Sequence, residues 1–328
     1  MTHTDDTSPA FIAYDIDDLF NALPTFLGFR PEESLVAVAT HGPHRRLGFR
    51  LRADIPDPAD VGQAADVIVH HLRNHGAEGV IVLALTERQD VAHDLLEAIE
   101  DRLEEIVPIV ISRSDGARYW VDVPGFPREG IAYETSDHHV SIVSAIAAGQ
   151  EILPNREALA QRVAPPTGDR VDELIAVYGT VWPEVLDLMD RHPNLVETAL
   201  DDLALVLRRI ESGGQLDDEQ TVRLCVWLSA VQVRDAIWRR IGEDSDGRWL
   251  HVLCHCSRHA LDTFVPSVLS LTAFTAWLHG HGALALMAND RALSADPQDS
   301  LCRLMQQVLD NGIAPPSWQQ PRERRKAG

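Results

Sequence analysis

Lysine is all but missing from this sequence of 328 residues, where Lys326 is the only one. A Schiff-base enzyme needs a lysine in a packed pocket, and a Walker-type phosphate loop needs one directly before Ser or Thr, so both chemistries are excluded. Cysteine is scarce as well. Cys225, Cys254, Cys256 and Cys302 are too few and too unevenly spaced for a disulfide framework and read as reduced, cytosolic thiols. Positive charge is short: 29 Lys and Arg stand against 50 Asp and Glu, a formal net charge of -21. That balance repels a phosphate backbone and an anionic bilayer surface, so no nucleic acid and no membrane is expected as a partner. Apolar runs such as residues 80–85 fall far short of the roughly eighteen residues that suggest a membrane span. Residues 1–10 are polar and acidic, without the apolar run of an export signal, and a cytoplasmic location is expected.

The hydrophobic share is 45%, ordinary for a chain that buries a core, and the length has room for about two domains. Residues 34–39 read as a short apolar strand. Leu47, Phe49, Leu51, Ala53 and Ile55 then alternate with Gly48, Arg50, Arg52 and Asp54 at the strand period of two, and the turn residues between predict a hairpin. Asp57-Pro58 is a helix start with a capping side chain, followed by a face of Val61, Ala64, Ala65, Ile68 and Leu72. Residues 79–86 form a continuous apolar strand, the pattern of a central strand covered on both faces. A second helix carries Val91, Leu95, Ile99, Leu103 and Ile106, and Asp115-Gly116 joins strands over 108–112 and 117–123. This order predicts an α/β half whose mixed sheet is connected by helical crossovers.

A helix near residues 139–148 leads into a Pro- and Gly-bearing segment at 153–168, a natural boundary. Beyond it the patterns are helical: one helix through Leu195, Ala199, Leu203, Val206 and Ile210, another through Val222, Cys225, Leu228, Val231 and Ile237, and four more over 249–259, 266–279, 281–293 and 298–311. The expected fold is thus α/β followed by all-α, with a mixed α/β domain over 1–160, a helical domain over 161–316 and a basic disordered tail over 317–328. Ala273, Gly280, Ala285, Ala292 and Pro297 fall at the small-residue and proline spacings of one tetratricopeptide helix pair. The 34-residue period does not repeat: stepping back from Ala273 and Ala285 lands on Arg239 and His251.

Several blocks carry a family resemblance. Leu23-Pro24, Leu27-Gly28-Phe29-Arg30-Pro31-Glu32 and Ser34-Leu35-Val36 resemble the opening motif of the actinobacterial family called domain of unknown function 4192. Ala148-Gly149, Leu153-Pro154 and Arg156-Glu157-Ala158-Leu159 are similar to its middle block, and Val233-Arg234-Asp235-Ala236 to its Arg-Asp element. The run from Ala273-Phe274 through Gly280, Arg291-Ala292-Leu293 and Asp296-Pro297 to Trp318 is the most specific match. The resemblance implies kinship and brings no activity. It also implies cysteines after the 114–120 hairpin, but residues 121–130 contain none, so no thiol or metal role is expected there.

The densest set of metal-ligand types is His251, Cys254, His255, Cys256 and His259. Its histidines recur at steps of four along one helical face, but its cysteines are two apart and face different ways, so no metal is expected, nor any cofactor. Ligands of open α/β sheets favour strand ends, which here present Thr40, His41, Thr86, Glu87 and Arg88, with Arg52 as an anion contact and Asp54 as a base. The candidate ligand site is therefore Arg52, Asp54, Thr86 and Arg88. Arg234, Asp235 and Arg291 are candidate partner contacts, because an arginine can receive a partner's carboxylate in two-pronged fashion. No catalytic residue is assigned. The functional expectation is a non-catalytic protein-interaction or regulatory protein with a protein partner. The alternative is a small-molecule enzyme, a hydrolase or nucleotide-handling protein, at the strand ends.

Overall fold

The computed structural model describes residues 15–244, 246–313 and 315. The tail expected over 317–328 lies outside them. The chain divides into two compact units, with Arg156 the last residue of the first and Glu157 the first of the second.

The first unit is a six-stranded mixed sheet with helices on both faces. It opens with α1 (Ile16–Leu27), where the sequence reading placed no helix. Asp15 caps its first turn by accepting from the Asp18 amide, and Gly28, in the left-handed region at φ 77°, closes it. Strands β1 (Ser34–His41) and β2 (Arg46–Asp54) form the expected hairpin. The predicted cap at Asp57 is absent: Asp57 makes no capping bond, and a 3₁₀ turn, Pro58–Asp60, leads into α2 (Val61–Asn74). Then follow β3 (Gly79–Leu85), α3 (Gln89–Glu100), β4 (Val107–Ser114), β5 (Arg118–Trp120), β6 (Ile131–Ala132) and α4 (Val140–Ala147). β5 is shorter than the pattern predicts, and β6 has no sequence signal.

The sheet order is β2-β1-β3-β4-β5-β6, with β1 antiparallel to β3 and β3 parallel to β4. β3 is covered on both faces, as its unbroken apolar run requires. Val80, Val82 and Ala84 pack with Ile68 and Leu72 of α2 and Leu95 and Ile99 of α3, while Ile81 and Leu83 pack with Leu19, Phe20 and Leu23 of α1.

The second unit is helical, with no strand among its described residues. After the short border helix α5 (Arg156–Ala160) comes α6 (Asp169–Arg191), a long helix the sequence reading did not assign. The two long helices expected next are each broken. α7 (Leu195–Asp202) and α8 (Ala204–Glu211) meet at the fully buried Leu203; α9 (Asp218–Leu228) and α10 (Val231–Ile241) are separated by extended backbone at Ala230. The continuous apolar spacing hid both breaks. α11 (Arg248–Ser257), α12 (Val265–Leu278), α13 (Gly282–Ala295) and α14 (Ser300–Asp310) follow the prediction closely. α12 is apolar all round and packs against α11, α13 and α14, as a central helix must. Ala273, Ala285 and Ala292 are fully buried in this group. The α12–α13 pair is a helical hairpin packed through small residues; its tetratricopeptide likeness rests on spacing alone.

Candidate functional site

The strand register brings the four expected ligand-site residues to one end of the sheet, because Ser34 stands opposite both Asp54 of β2 and Leu85 of β3. Two groups form there. Arg52 donates through Nε and Nη2 to the Ser34 hydroxyl at 2.9 and 2.7 Å, and its Nη1 lies 2.6 Å from Asp54. Burial pulls the Arg52 guanidinium below its usual value, Asp54 opposes this, and the nearby charge of Arg156 adds to it. In the second group Thr86 and Arg88 converge on a residue the sequence did not single out. Glu33 accepts from the Thr86 hydroxyl at 2.6 Å, the Glu87 amide at 3.0 Å and Arg88 Nε at 3.3 Å. Burial works against its charge, yet these three donors hold the carboxyl below its ordinary value. The two ends of the Arg88 fork reach the carbonyls of Pro56 and Ile55 at 3.1 and 2.8 Å. Glu33 sits at φ 43°, the left-handed region that non-glycine residues enter at a cost, and the convergent donors hold it there.

Arg234 and Arg291 are likewise committed inside the helical unit. Arg234 Nη1 donates to Asp299 at 3.2 Å, while the same carboxylate caps α14 by accepting from the Leu301 and Cys302 amides. Arg291 Nη1 donates to the carbonyls of Val163 and Ser257, both at 2.7 Å. Asp235 is half-exposed, 3.9 Å from Arg234 Nε.

The histidine and cysteine set of α11 is split by its helix. Cys256 is buried with its carbonyl against Cys225 Sγ at 3.9 Å, whereas His251 faces solvent. No group of three or more His, Cys, Asp or Glu among the described residues is placed to hold a metal ion. His255 and His259 instead line a cleft of about 490 Å³ with Gln161, Pro166, Thr167, Arg170 and Arg258. Asp218 organises one wall. Arg170 Nη2 donates to it at 2.5 Å and lies 3.0 Å from His259 Nε2. His259 Nδ1 is 2.8 Å from the His255 carbonyl, which can only accept, so Nδ1 carries a proton, while Nε2 stands 3.0 Å from Arg170 Nη2 and 3.2 Å from Asp218. These contacts hold the Asp218 carboxyl below its usual range, the Arg170 bond first.

Most of the buried face of α6 is formed by Leu174, Tyr178, Val181 and Val185. A second apolar stripe, Ile175, Trp182 and Leu186, stays 54, 41 and 45% exposed around Gly179, where an added Cβ would meet nothing within 4 Å. Spacings of seven and four put the three side chains on one helical face. Asp172 and Asp190 border it on the exposed side.

A family model matches residues 17–316 of the chain. The chain belongs to the family described as domain of unknown function (DUF4192). No curated protein and no solved structure matches it. In this DUF4192 chain the opening and middle sequence blocks meet in space: Phe29 and Leu153 form a parallel bridge, with Arg30 N to Leu153 O at 3.1 Å and Leu153 N to Gly28 O at 2.9 Å. Among the described residues of the DUF4192 chain no helix is long and apolar enough to cross a membrane.

Proposed function

We propose that the protein acts by recognition, in a protein-interaction or regulatory role: the outward stripe of α6 receives a basic amphipathic helix of another protein and leaves it chemically unchanged. The observation that carries this reading is the exposed line Ile175, Trp182 and Leu186 on a helix of 23 residues. Three large apolar side chains at helical spacing on one exposed face are the anchors that helix pairing uses. Gly179 leaves room for a second backbone to come near. The bordering carboxylates of Asp172 and Asp190 complement a basic partner, and the net charge of -21 opposes association with a second copy. At the strand ends, by contrast, Thr86 and Arg88 already serve Glu33, so an enzymatic site there has less in its favour. A cytoplasmic setting belongs to the same proposal and is supported by four free cysteines, three of them buried.

The test uses two labelled synthetic helices with the same leucine stripe, one flanked by lysine and one by glutamate, titrated with the full-length chain and followed by anisotropy. The lysine peptide is expected to bind saturably, to weaken with salt, and to lose at least tenfold in affinity with Ile175→Asp or Leu186→Asp. Equal binding of the two peptides, no binding of either, or a dimer of the protein that Leu186→Asp dissociates would each overturn the reading.

A further inference from the structure

The cleft between α11 and the amino end of α6 has features that the recognition stripe does not use. Its lining brings together an arginine with nothing to bind, a histidine nitrogen with nothing to bind and an apolar wall. Arg258 is exposed, and its side chain has no hydrogen bond or ion pair among the described residues, whereas Arg170 is engaged by Asp218 and Glu173 at 2.5 and 2.8 Å. His255 Nε2 is shielded from solvent and has no hydrogen-bond partner, a costly state for a polar atom unless a ligand completes it. The His255 ring is fixed against that of His259, with centroids 4.2 Å apart. Thr167 adds a hydroxyl, and Ala164, Pro165 and Pro166 supply the apolar side. α6 starts here behind Gly168, which has no side chain to cap the first turn.

We propose that this cleft binds a small phosphate monoester. The Arg258 fork and the Thr167 hydroxyl are the exposed donors of one cleft that His255 also lines, suited to the free oxygens of a tetrahedral group, and the proline wall takes the organic part. Asp218 and Glu173 share the single guanidinium of Arg170, so the charge of a bound anion falls to Arg258. The cleft is open to solvent, which leaves room beside the phosphate for an attached apolar body. Burial also keeps the His255 imidazole neutral near pH 7, so it adds no fixed charge to the cleft.

The experiment titrates full-length protein with phenyl phosphate, inorganic phosphate and benzoate at constant ionic strength, reading thermal stability and the His255 ring resonances. Phenyl phosphate is expected to stabilise saturably, to shift the His255 signals, and to bind more tightly than either of the other two. Arg258→Ala, a change at an exposed side chain, is expected to weaken it at least tenfold, with Arg258→Lys between. Equal affinity of Arg258→Ala and the unaltered protein, benzoate binding as well as phenyl phosphate, or unmoved His255 resonances at saturation would overturn the proposal. None of these readouts involves the α6 stripe, so this site and the partner surface stand or fall separately.

Discussion

The Glu33 carboxylate and the Thr86 hydroxyl lie 2.6 Å apart across 53 residues of sequence, tying the loop before β1 to the end of β3. Glu33→Ala removes the acceptor of three donors at once. Because the side chain is 47% exposed, water replaces part of the loss, and the expected cost is about 1 kcal/mol by chemical denaturation. The folded carboxyl titrates below the unfolded one, whose ordinary value is 4.5. The contribution is therefore present above that value and lost as pH falls through the lowered one, so the gap between wild type and Glu33→Ala closes in acid.

Arg291 is expected to be structural in the helical unit. Arg291→Met keeps much of the side-chain volume but deprives the Val163 and Ser257 carbonyls of their donor, at an expected cost of about 2 kcal/mol. Arg291→Lys carries the charge but not the fork and is expected to recover less than half of that. Urea denaturation followed by tryptophan fluorescence checks both.

His255 is pushed down to about 4, first by burial and then by the charges of His259 and Arg258, with Asp218 pulling the other way and Arg170 adding to the depression. Its resonances should therefore show no titration between pH 8 and about 5.5. Between its ordinary value of 6.5 and about 4 the unfolded chain takes up a proton that the folded chain refuses, so stability falls with pH over that window. His255→Asn should flatten this part of the stability profile. A histidine resonance assigned to residue 255 that titrates near 6.5 would refute the placement.

Thiol reactivity should follow burial. Burial lifts Cys254 to about 11; a bond to Cys225, complete burial and nearby thiols hold Cys256 well above its ordinary range; burial and Asp299 raise Cys302. Iodoacetamide at pH 7.5 should label the folded chain slowly, with Cys254 first because it alone is partly accessible, and all four sites rapidly in denaturant. Mass spectrometry of the digests distinguishes the outcomes.

The sheet was legible where burial is periodic. The alternation marks β2 through Phe49 and Leu51, which pack on the core, although Leu47 is exposed and the Arg52 side chain mostly buried, against the pattern, and the unbroken run over β3 marks its burial on both faces. Breaks inside apolar runs were not legible: Leu203 and Ala230 interrupt helices without interrupting the hydrophobic spacing in the sequence, and past Ala230 the break turns Val231 out to solvent. α6 escaped because its two apolar stripes blur the period of a single face. At the candidate sites Thr86 and Arg88 could be placed at a strand end, but their shared acceptor depends on a backbone angle at Glu33 that no residue pattern announces. The link of His259 to Asp218 joins residues 41 apart and exists only through packing. Its nearest sequence signal is the four-residue spacing of His251, His255 and His259, a pattern for which no metal is expected.

β2 has a hydrogen-bonded neighbour on one side only, and Arg46, Arg50, Arg52 and Asp54 occupy four of its nine positions. A foreign strand zipping onto that rim would have to strip water from the exposed Arg46 and Arg50. The hairpin thus carries its own protection against edge-to-edge polymerisation, and the scarce cations of an acidic chain are placed where they keep the folded molecules apart.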